Sequence, residues 1–202
     1  MSNPIPGPDG RLRCGWCTVT PEFFDYHDKE WGFPVADDRR LFEKLCLESF
    51  QSGLSWRTIL AKRENFREAF HHFDFERVAQ FTARDVERLL RDKGIIRHRG
   101  KIEAVINNAR RVRELVQQEG SLAAYIWRYE PAEDALAPPQ TASTSAASIA
   151  LSKDLKKRGW KFVGPTTVYA FMQAMGLIND HAEECVSRIE AERLRKRFKR
   201  PC

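Results

Sequence analysis

Apolar residues recur at the three- and four-residue spacing of helices along most of the chain, and the strict alternation that marks a strand is scarce. Residues that favour helix starts stand before these runs: Asp37 precedes a periodic run to Gln51, and Ser55 precedes Trp56–Phe70. Thr20, followed by proline, predicts another helix start, since proline is favoured at the first helical position. The pattern predicts an all-α protein.

Glycines mark the ends of several further predicted helices. These helices are Thr82–Lys93 before Gly94, Gly100–Gln118 before Gly120 and Ser143–Arg158 before Gly159. A further short helix, Ser121–Tyr129, is predicted without a glycine at its end. The segment EPAEDALAPPQTA, residues 130–142, predicts a longer loop, because its three prolines and small residues neither cap nor continue a helix. No repeat at a fixed period occurs, which argues against a solenoid.

The chain has 202 residues, of which 42% are apolar, and so can bury one sizeable core. No stretch approaches the ~20 apolar residues of a membrane span, and residues 1–13 lack the apolar centre of a signal peptide. Five cysteines are too few and too irregularly spaced for a disulfide framework. We therefore expect a soluble, cytoplasmic monomer that does not interact with membranes.

The net charge of +6 and the pI near 9.2 favour an acidic partner. However, residues 186–202 carry seven Lys/Arg against two Glu, so the body of the protein is almost neutral. A basic run of this kind is more often a solvated tail or a frayed helix than a DNA-binding element. Charge by itself therefore supports nucleic-acid binding only weakly.

The sequence Cys-Gly-Trp-Cys at residues 14–17 allows a redox pair, half of a zinc site or two unrelated cysteines. A redox pair of the thioredoxin type needs a βαβ pattern around it, and none is present. A zinc site gains support from His181 and Cys185, four residues apart in a segment with helical character, which would project from one face. With Cys14 and His27 they make a closed Cys₂His₂ set, the composition of structural zinc. The spacing fits ordinary buried cysteines and histidines equally well.

Residues 155–173, LKKRGWKFVGPTTVYAFMQ, predict a basic helix end, a tight turn and a second helix capped by threonine. This arrangement resembles a helix-hairpin-helix motif, in which a glycine-containing turn presents backbone N–H groups to a DNA phosphate. The candidate DNA-binding residues are Lys161, Gly164, Thr166 and Thr167. Any connection between two helices can use Gly-Pro followed by threonine, so the motif by itself is weak.

Several longer segments are similar to the bacterial 3-methyladenine DNA glycosylase I family. They are RCGW (13–16), YHDKEWG (26–32), LSW (54–56), GIIRHRGKI (94–102), LKKRGWKFVG (155–164) and GLINDH (176–181). The resemblance covers roughly residues 13–185 in one order. We therefore predict a glycosylase domain over residues 13–185, an N-terminal extension over 1–12 and a basic C-terminal tail over 186–202.

The resemblance implies an all-α helix-hairpin-helix DNA glycosylase in which a structural zinc joins the N- and C-terminal segments. The family's zinc ligands match Cys14, His27, His181 and Cys185. Cys17 is then a cysteine that does not bind the metal.

The resemblance also places three aromatic residues, Trp16, Tyr26 and Trp56, in a pocket that binds the base. Phe23 stands where the family has a tyrosine, so any contact made by that hydroxyl is lost. Without the resemblance, aromatic residues at helical spacing are more often part of a core than of a base-binding pocket.

Glu48 is the candidate catalytic residue. On a helix wheel from Leu41 it lies about 20° from Leu41 and about 60° from Leu45, at the border of the apolar face. That position fits a surface glutamate as well as a buried anion, and the resemblance assigns to Glu48 the recognition of the base. Asp180 is the nearest match to an aspartate that many relatives in the superfamily need, but it lies beside His181, and we assign it first to local structure.

The activity that the resemblance implies is that of a monofunctional DNA-3-methyladenine glycosylase acting on double-stranded DNA. N3-methylated adenine in DNA is a cation and leaves as a neutral base, so its departure needs no protonation. A buried anion and aromatic faces would favour that cation over normal adenine. Two alternatives remain open: a glycosylase for another damaged base, and a zinc-containing DNA-binding protein without catalytic activity.

Overall fold

The computed structural model describes residues 4–202; residues 1–3, part of the predicted N-terminal extension, lie outside them. The described chain is mostly helical, which confirms the predicted all-α class. Its helices are α1 Glu22–Lys29, α2 Asp38–Gln51, α3 Trp56–Ala61, α4 Arg63–Ala69, α5 Phe75–Val78, α6 Ala83–Arg91, α7 Arg99–Glu119, α8 Leu122–Trp127, α9 Ala146–Lys157, α10 Pro165–Ala174 and α11 Val186–Arg197. Two short antiparallel strands, β1 Ile5–Pro6 and β2 Leu12–Arg13, precede them. From residue 4 onward, no helix is long and apolar enough to cross a membrane.

Helix α2 is central to the fold. It begins where the sequence predicts, because the Asp37 side chain accepts a hydrogen bond from the backbone N–H of Arg40 at 2.8 Å. Nearly all of its residues from Leu41 to Phe50 are buried, since α10, α7, α8 and α3 all pack against it. Side chains on several faces of this helix are therefore withdrawn from solvent.

The predicted helix Trp56–Phe70 is wrong as a single element. It divides into α3 and α4 at Lys62, whose φ of −103° and ψ of 4° depart from helical values. The Lys62 ammonium donates to the carbonyls of Lys93 and Gly94, at 3.1 and 3.2 Å, and so ties the break to the loop after α6. Helix α5 was not predicted, because four residues are too few to display a helical period.

The basic C-terminal segment is a packed helix rather than an extended tail. After α11, the ring of Phe198 lies 4.4 Å from that of Trp127, centroid to centroid. Two arginines of the segment form ion pairs with Glu130, at 2.9 and 2.7 Å. Part of the basic charge is thus neutralised against the body of the protein. The domain boundaries predicted at residues 12 and 185 stay predictions.

A polar network at Asp154 joins α8 to α9. The Tyr125 hydroxyl donates to the Asp154 carboxylate at 2.7 Å, and the Arg158 guanidinium donates to the same oxygen at 2.9 Å. Burial alone would raise the pKa of Asp154, but these two hydrogen bonds outweigh it and hold the pKa below its ordinary value. The carboxylate is therefore a stabilising group in its ionised form.

Candidate functional site

A cavity of about 500 Å³ opens beside α2. Its walls come from the short 3₁₀-helix Gly15–Thr18, from α1 and α2, from the start of α3 and from α10. The aromatic lining residues are Trp16, Phe23, Tyr26, Trp31 and Trp56. The polar lining residues are Glu48, Gln51, Ser55, Arg57 and Gln173. Its volume is in the range of pockets that bind small organic ligands.

The four predicted base-binding residues all line this cavity. Phe23 and Tyr26 are three residues apart on α1 and so project from one face of that helix. Trp16 meets both of them edge-on, with ring centroids 5.7 and 6.2 Å away. Trp56 begins α3, and its ring lies 5.2 Å from that of Tyr26. The structure adds Trp31, which the sequence analysis did not assign to the site.

Glu48 lines the same cavity and is buried, with a side chain only 5% exposed. Of the two alternatives that its helix-wheel position left open, the surface glutamate is wrong, because helices pack around α2 on several sides and bury Glu48. Glu48 faces the cavity and the ammonium of Lys44. Its carboxylate Oε1 lies 2.6 Å from the ammonium of Lys44, one helical turn earlier.

Lys44 is a buried cation that the sequence analysis missed. Its ammonium donates to the Tyr26 hydroxyl at 2.6 Å and lies 3.4 Å from the ring centroid of Trp56. Burial lowers the pKa of Lys44, while the Glu48 carboxylate opposes that shift. Burial and the same carboxylate raise the pKa of Tyr26, so its hydroxyl stays protonated. The i,i+4 spacing to Glu48 was the available signal.

Gln173 reaches the cavity from α10 and was also missed. Its amide donates to the Asp180 carboxylate at 2.6 Å, and the backbone N–H of Gln140 donates to the other carboxylate oxygen at 2.9 Å. Burial raises the pKa of Asp180, and these hydrogen bonds oppose the shift. Asp180 therefore holds a cavity residue and a loop in place, which agrees with its assignment to local structure.

Three of the four predicted metal ligands meet in one buried group. Within residues 4–202, the sulfurs of Cys14 and Cys185 and a ring nitrogen of His27 all lie within 4.8 Å of one another. Asp28 contacts Nδ1 of His27 at 2.7 Å, which orients Nε2 towards Cys185. The hydrogen bond between the two thiol groups raises the pKa of Cys14 and lowers that of Cys185. Cys17 is buried near His27 but outside this group.

His181, the fourth predicted ligand, lies beside the group but not within it. Its ring centroid is 5.0 Å from that of His27, and its Nδ1 contacts the Asn179 side chain at 2.9 Å. The premise that 181–185 is helical is wrong: these residues form turns, and α11 begins after Cys185. The backbone of the turn, rather than a helix face, decides where the side chains of His181 and Cys185 point.

Three observations describe the surroundings of His181. Its Nε2 is buried and has no hydrogen-bond partner among residues 4–202. Burial lowers the pKa of His181 to about 4, so the imidazole is neutral at pH 7. Gly32 has a φ of +84°, and a Cβ there would lie 2.5 Å from the His181 ring. The close approach of the two segments therefore requires glycine.

The four predicted DNA-binding residues lie together at the connection between α9 and α10: Lys161 and Gly164 are in the turn that joins the helices, and Thr166 and Thr167 are in the first turn of α10. Gly164 caps α10, with Pro165 at the first helical position. Lys161 and Thr166 are exposed and Thr167 is half-buried. The φ of Gly164 is −64°, and a Cβ there would meet no heavy atom of residues 4–202 within 4 Å. The fold itself does not require a glycine at this position.

Helix α2 also connects this turn to the cavity. Ser49, the residue after Glu48, donates from its hydroxyl to the carbonyl of Phe162 at 2.9 Å. Asn108 of α7 accepts from the backbone N–H of Lys161 and donates to its carbonyl, at 2.8 and 2.9 Å. Two carbonyls of the turn thus accept hydrogen bonds from the protein, while the side chains of Lys161 and Thr166 are exposed to solvent.

The helical fold contains an aromatic cavity with a buried carboxylate, and a lining of this kind suits a flat, aromatic group. A sequence model of the methyladenine glycosylase family matches residues 16–188. The chain belongs to the methyladenine glycosylase family, which confirms the resemblance described above.

Named relatives and solved structures support the same assignment. The chain is 50% identical to DNA-3-methyladenine glycosylase 1 of Escherichia coli over 177 residues, which cover 86% of this chain and 95% of that protein. It is 45% identical to DNA-3-methyladenine glycosylase of Haemophilus influenzae, over 86% of this chain and 96% of that protein. A solved structure of a variant 3-methyladenine DNA glycosylase I in complex with 3-methyladenine is 39% identical, with a TM-score of 0.81 over 87% of this chain and 96% of that one.

Proposed function

We propose that this protein is a DNA-3-methyladenine glycosylase that hydrolyses the bond between 3-methyladenine and deoxyribose in alkylated DNA. The products are the free base and an abasic site, the first intermediate of base-excision repair. The observation that carries the proposal is the aromatic cavity with the buried Glu48, in a chain 50% identical to a relative of that name. Bases are flat and aromatic, and an enzyme that cleaves them from DNA takes them out of the stack into such a pocket.

The residues of the cavity bind and orient the base. The rings of Trp16, Tyr26 and Trp56 offer faces against which a purine stacks, and Glu48 offers the acceptor. Because N3-methylated adenine is already positively charged in DNA, its bond to the sugar breaks without a proton from the enzyme. Water then attacks the sugar, and no lysine nucleophile is needed, so the strand stays intact.

We propose the turn between α9 and α10 as the contact to double-stranded DNA, in the manner of a helix-hairpin-helix. The backbone N–H groups at the start of α10 are suited to a phosphate, and Gly164 allows the DNA backbone to approach closely. Lys161, Thr166 and Thr167 lie beside it. Such contacts are independent of base sequence and position the enzyme on the duplex.

We also propose a structural zinc held by Cys14, His27, His181 and Cys185. Two cysteine sulfurs and the His27 imidazole already lie together. The buried Nε2 of His181, on a ring that is neutral at pH 7 and without a hydrogen-bond partner among residues 4–202, is the donor that a closed four-ligand site would use. The metal would tie the segment before α1 to the turn before α11 and contribute to folding rather than to the chemistry.

The test is incubation of the protein with N-methylated duplex DNA, followed by chromatography of the released bases. We expect 3-methyladenine to be released and alkali-labile abasic sites to appear, with no release from unmethylated duplex. Release of a different damaged base would favour the second glycosylase candidate. Binding of DNA with no base release would favour the non-catalytic alternative. The cytoplasmic location and the monomeric state stay predictions.

A further inference from the structure

Lys44 places a positive charge directly behind the wall of the cavity. Its side chain is 7% exposed, and its ammonium reaches Glu48, the Tyr26 hydroxyl and the face of Trp56 at once. Lysine is rarely buried without a partner charge, and here the partner is the carboxylate of the site. The pair therefore belongs to the site even though lysine has no part in the chemistry proposed above.

The rings of Tyr26 and Trp56 lie between Lys44 and the cavity. Lys44 lines a separate recess of about 30 Å³, and the side chains of Tyr26 and Trp56 line both the recess and the cavity. A base in the cavity would therefore meet the rings, while the ammonium lies on their other side.

Four other charged side chains around the recess form two ion pairs. Glu30 pairs with Arg63 at 2.7 Å, and Glu43 pairs with Arg67 at 2.7 Å. Arg40 also lines the recess, and Arg57 lines the cavity and is exposed to solvent. The Lys44 ammonium is therefore the charge that directly compensates Glu48.

Both features that would attract a cationic base are already engaged by Lys44. One is the negative charge of Glu48, and the other is the electron-rich face of Trp56, which binds cations. A positive charge at this distance, in a site of low dielectric constant, reduces the attraction that a second cation experiences. An uncharged base of the same shape loses much less, because its stacking and hydrogen bonds do not depend on net charge.

We propose that Lys44 is a specificity-determining residue that lowers the preference of the cavity for cationic over uncharged alkylated bases. This inference rests on the proposed function of the cavity as a base-binding site. Lys44 acts through Glu48 and Trp56, as a positioning and charge-balancing group, and broadens the set of bases that the site holds.

The experiment compares two flat ligands of nearly the same shape, 3,9-dimethyladeninium, which carries a fixed positive charge, and 3-methyladenine, which is uncharged at pH 8. Dissociation constants are measured by tryptophan fluorescence or calorimetry for wild type, Lys44→Met, Lys44→Arg and the exposed control Lys153→Met. For Lys44→Met we expect the preference for the cation to rise by about tenfold. Lys44→Arg and Lys153→Met should stay within about threefold of wild type, since neither removes the buried charge.

If Lys44→Met does not fold, Lys44→Gln gives the same test, because Gln can still donate hydrogen bonds to Glu48 and Tyr26 but carries no charge. A preference within threefold of wild type in the folded, uncharged variant would overturn the inference. Wild-type activity separates this result from failure of the proposed function. If the wild type releases 3-methyladenine from DNA and the preference does not change, only the role of Lys44 is wrong; if it releases none, the proposed function fails.

Discussion

Replacement of Glu48 by Gln should destabilise the protein as well as lower its rate of base excision. The substitution keeps the shape of the side chain and removes its charge, so the Lys44 ammonium, 2.6 Å away, becomes a buried cation without its anion. A glutamate exposed at the edge of an apolar face would have no obligatory partner, and its replacement by Gln would leave the fold unchanged. The ion pair in the structure changes that expectation.

The size of the effect follows from the surroundings of Lys44. Removing one member of a buried ion pair typically costs about 3–5 kcal/mol. Lys44 keeps its hydrogen bond to Tyr26 and its contact with the Trp56 ring, and such a cation–π contact is worth about 0.5–2 kcal/mol. Loss of the Lys44 proton at pH 7 limits the penalty to about 5 kcal/mol. We expect the free energy of unfolding to fall by about 2–4 kcal/mol.

Urea unfolding of four proteins measures this effect: wild type, Glu48→Gln, Lys44→Met and the double variant. Either single variant leaves one buried charge unpaired, whereas the double variant leaves none. The double variant should therefore be more stable than the sum of the single effects predicts. Glu87→Gln is the control, since its ion pair with Arg99 has both side chains about half exposed, and we expect a loss below about 1 kcal/mol.

Two results would refute this reasoning. One is a Glu48→Gln protein whose stability lies within about 0.5 kcal/mol of wild type, as for a surface substitution. The other is additive behaviour of the two substitutions in the double variant. Excision by Glu48→Gln should be measured at a temperature at which the variant is fully folded, and it should be slowed by about 10- to 150-fold if a charge-assisted hydrogen bond to the base is lost.

Three further predictions concern other parts of the structure. Cys14→Ser should lose bound zinc and much stability, whereas Cys17→Ser should retain both. Metal analysis and thermal unfolding measure the two effects. Stoichiometric zinc in the Cys14 variant would contradict the ligand set. Gly164→Val should weaken binding of damaged and undamaged duplex DNA about equally with little change in stability, because the fold leaves room for its side chain; unchanged DNA affinity would exclude a close contact at this turn. Asp154 has a folded-state pKa below its unfolded value, so its stabilisation is present above pH 4 and is lost as the pH falls through the folded pKa. Asp154→Asn should therefore lower stability at pH 7 by about 1–3 kcal/mol and less at pH 2, measured by urea unfolding; an equal loss at both pH values would contradict the linkage.

Local signals in the sequence determined most of the helices. The start of α2 at Asp37 depends on a cap that the residue type itself supplies, and the end of α7 at Gly120 depends on a φ of +85° that glycine adopts easily. These interactions span a few residues and need no distant partner. Where the pattern failed, at Lys62, the break is joined to a loop about 30 residues later, which no local pattern reveals.

The resemblance to a family identified candidate residues for the site but not their surroundings. Trp16 and Trp56 were assigned to one pocket, and the structure places both in one cavity. Gln173, which lines the same cavity, was missed because it comes from α10, far along the chain. His181 was expected in a helix and lies in a turn, since the backbone between two packed helices follows their placement rather than its own residue types.

Helix α2 shows most clearly what the sequence determines and what only the tertiary structure determines. The sequence placed Lys44 and Glu48 one turn apart, a spacing that on most helices describes an exposed pair worth a few tenths of a kcal/mol. Only the packing of other helices around α2 turned them into a buried ion pair behind a ligand cavity. Burial depends on neighbours that are distant in sequence, and the energy of a charge depends on burial, so tertiary structure decided what this pair contributes.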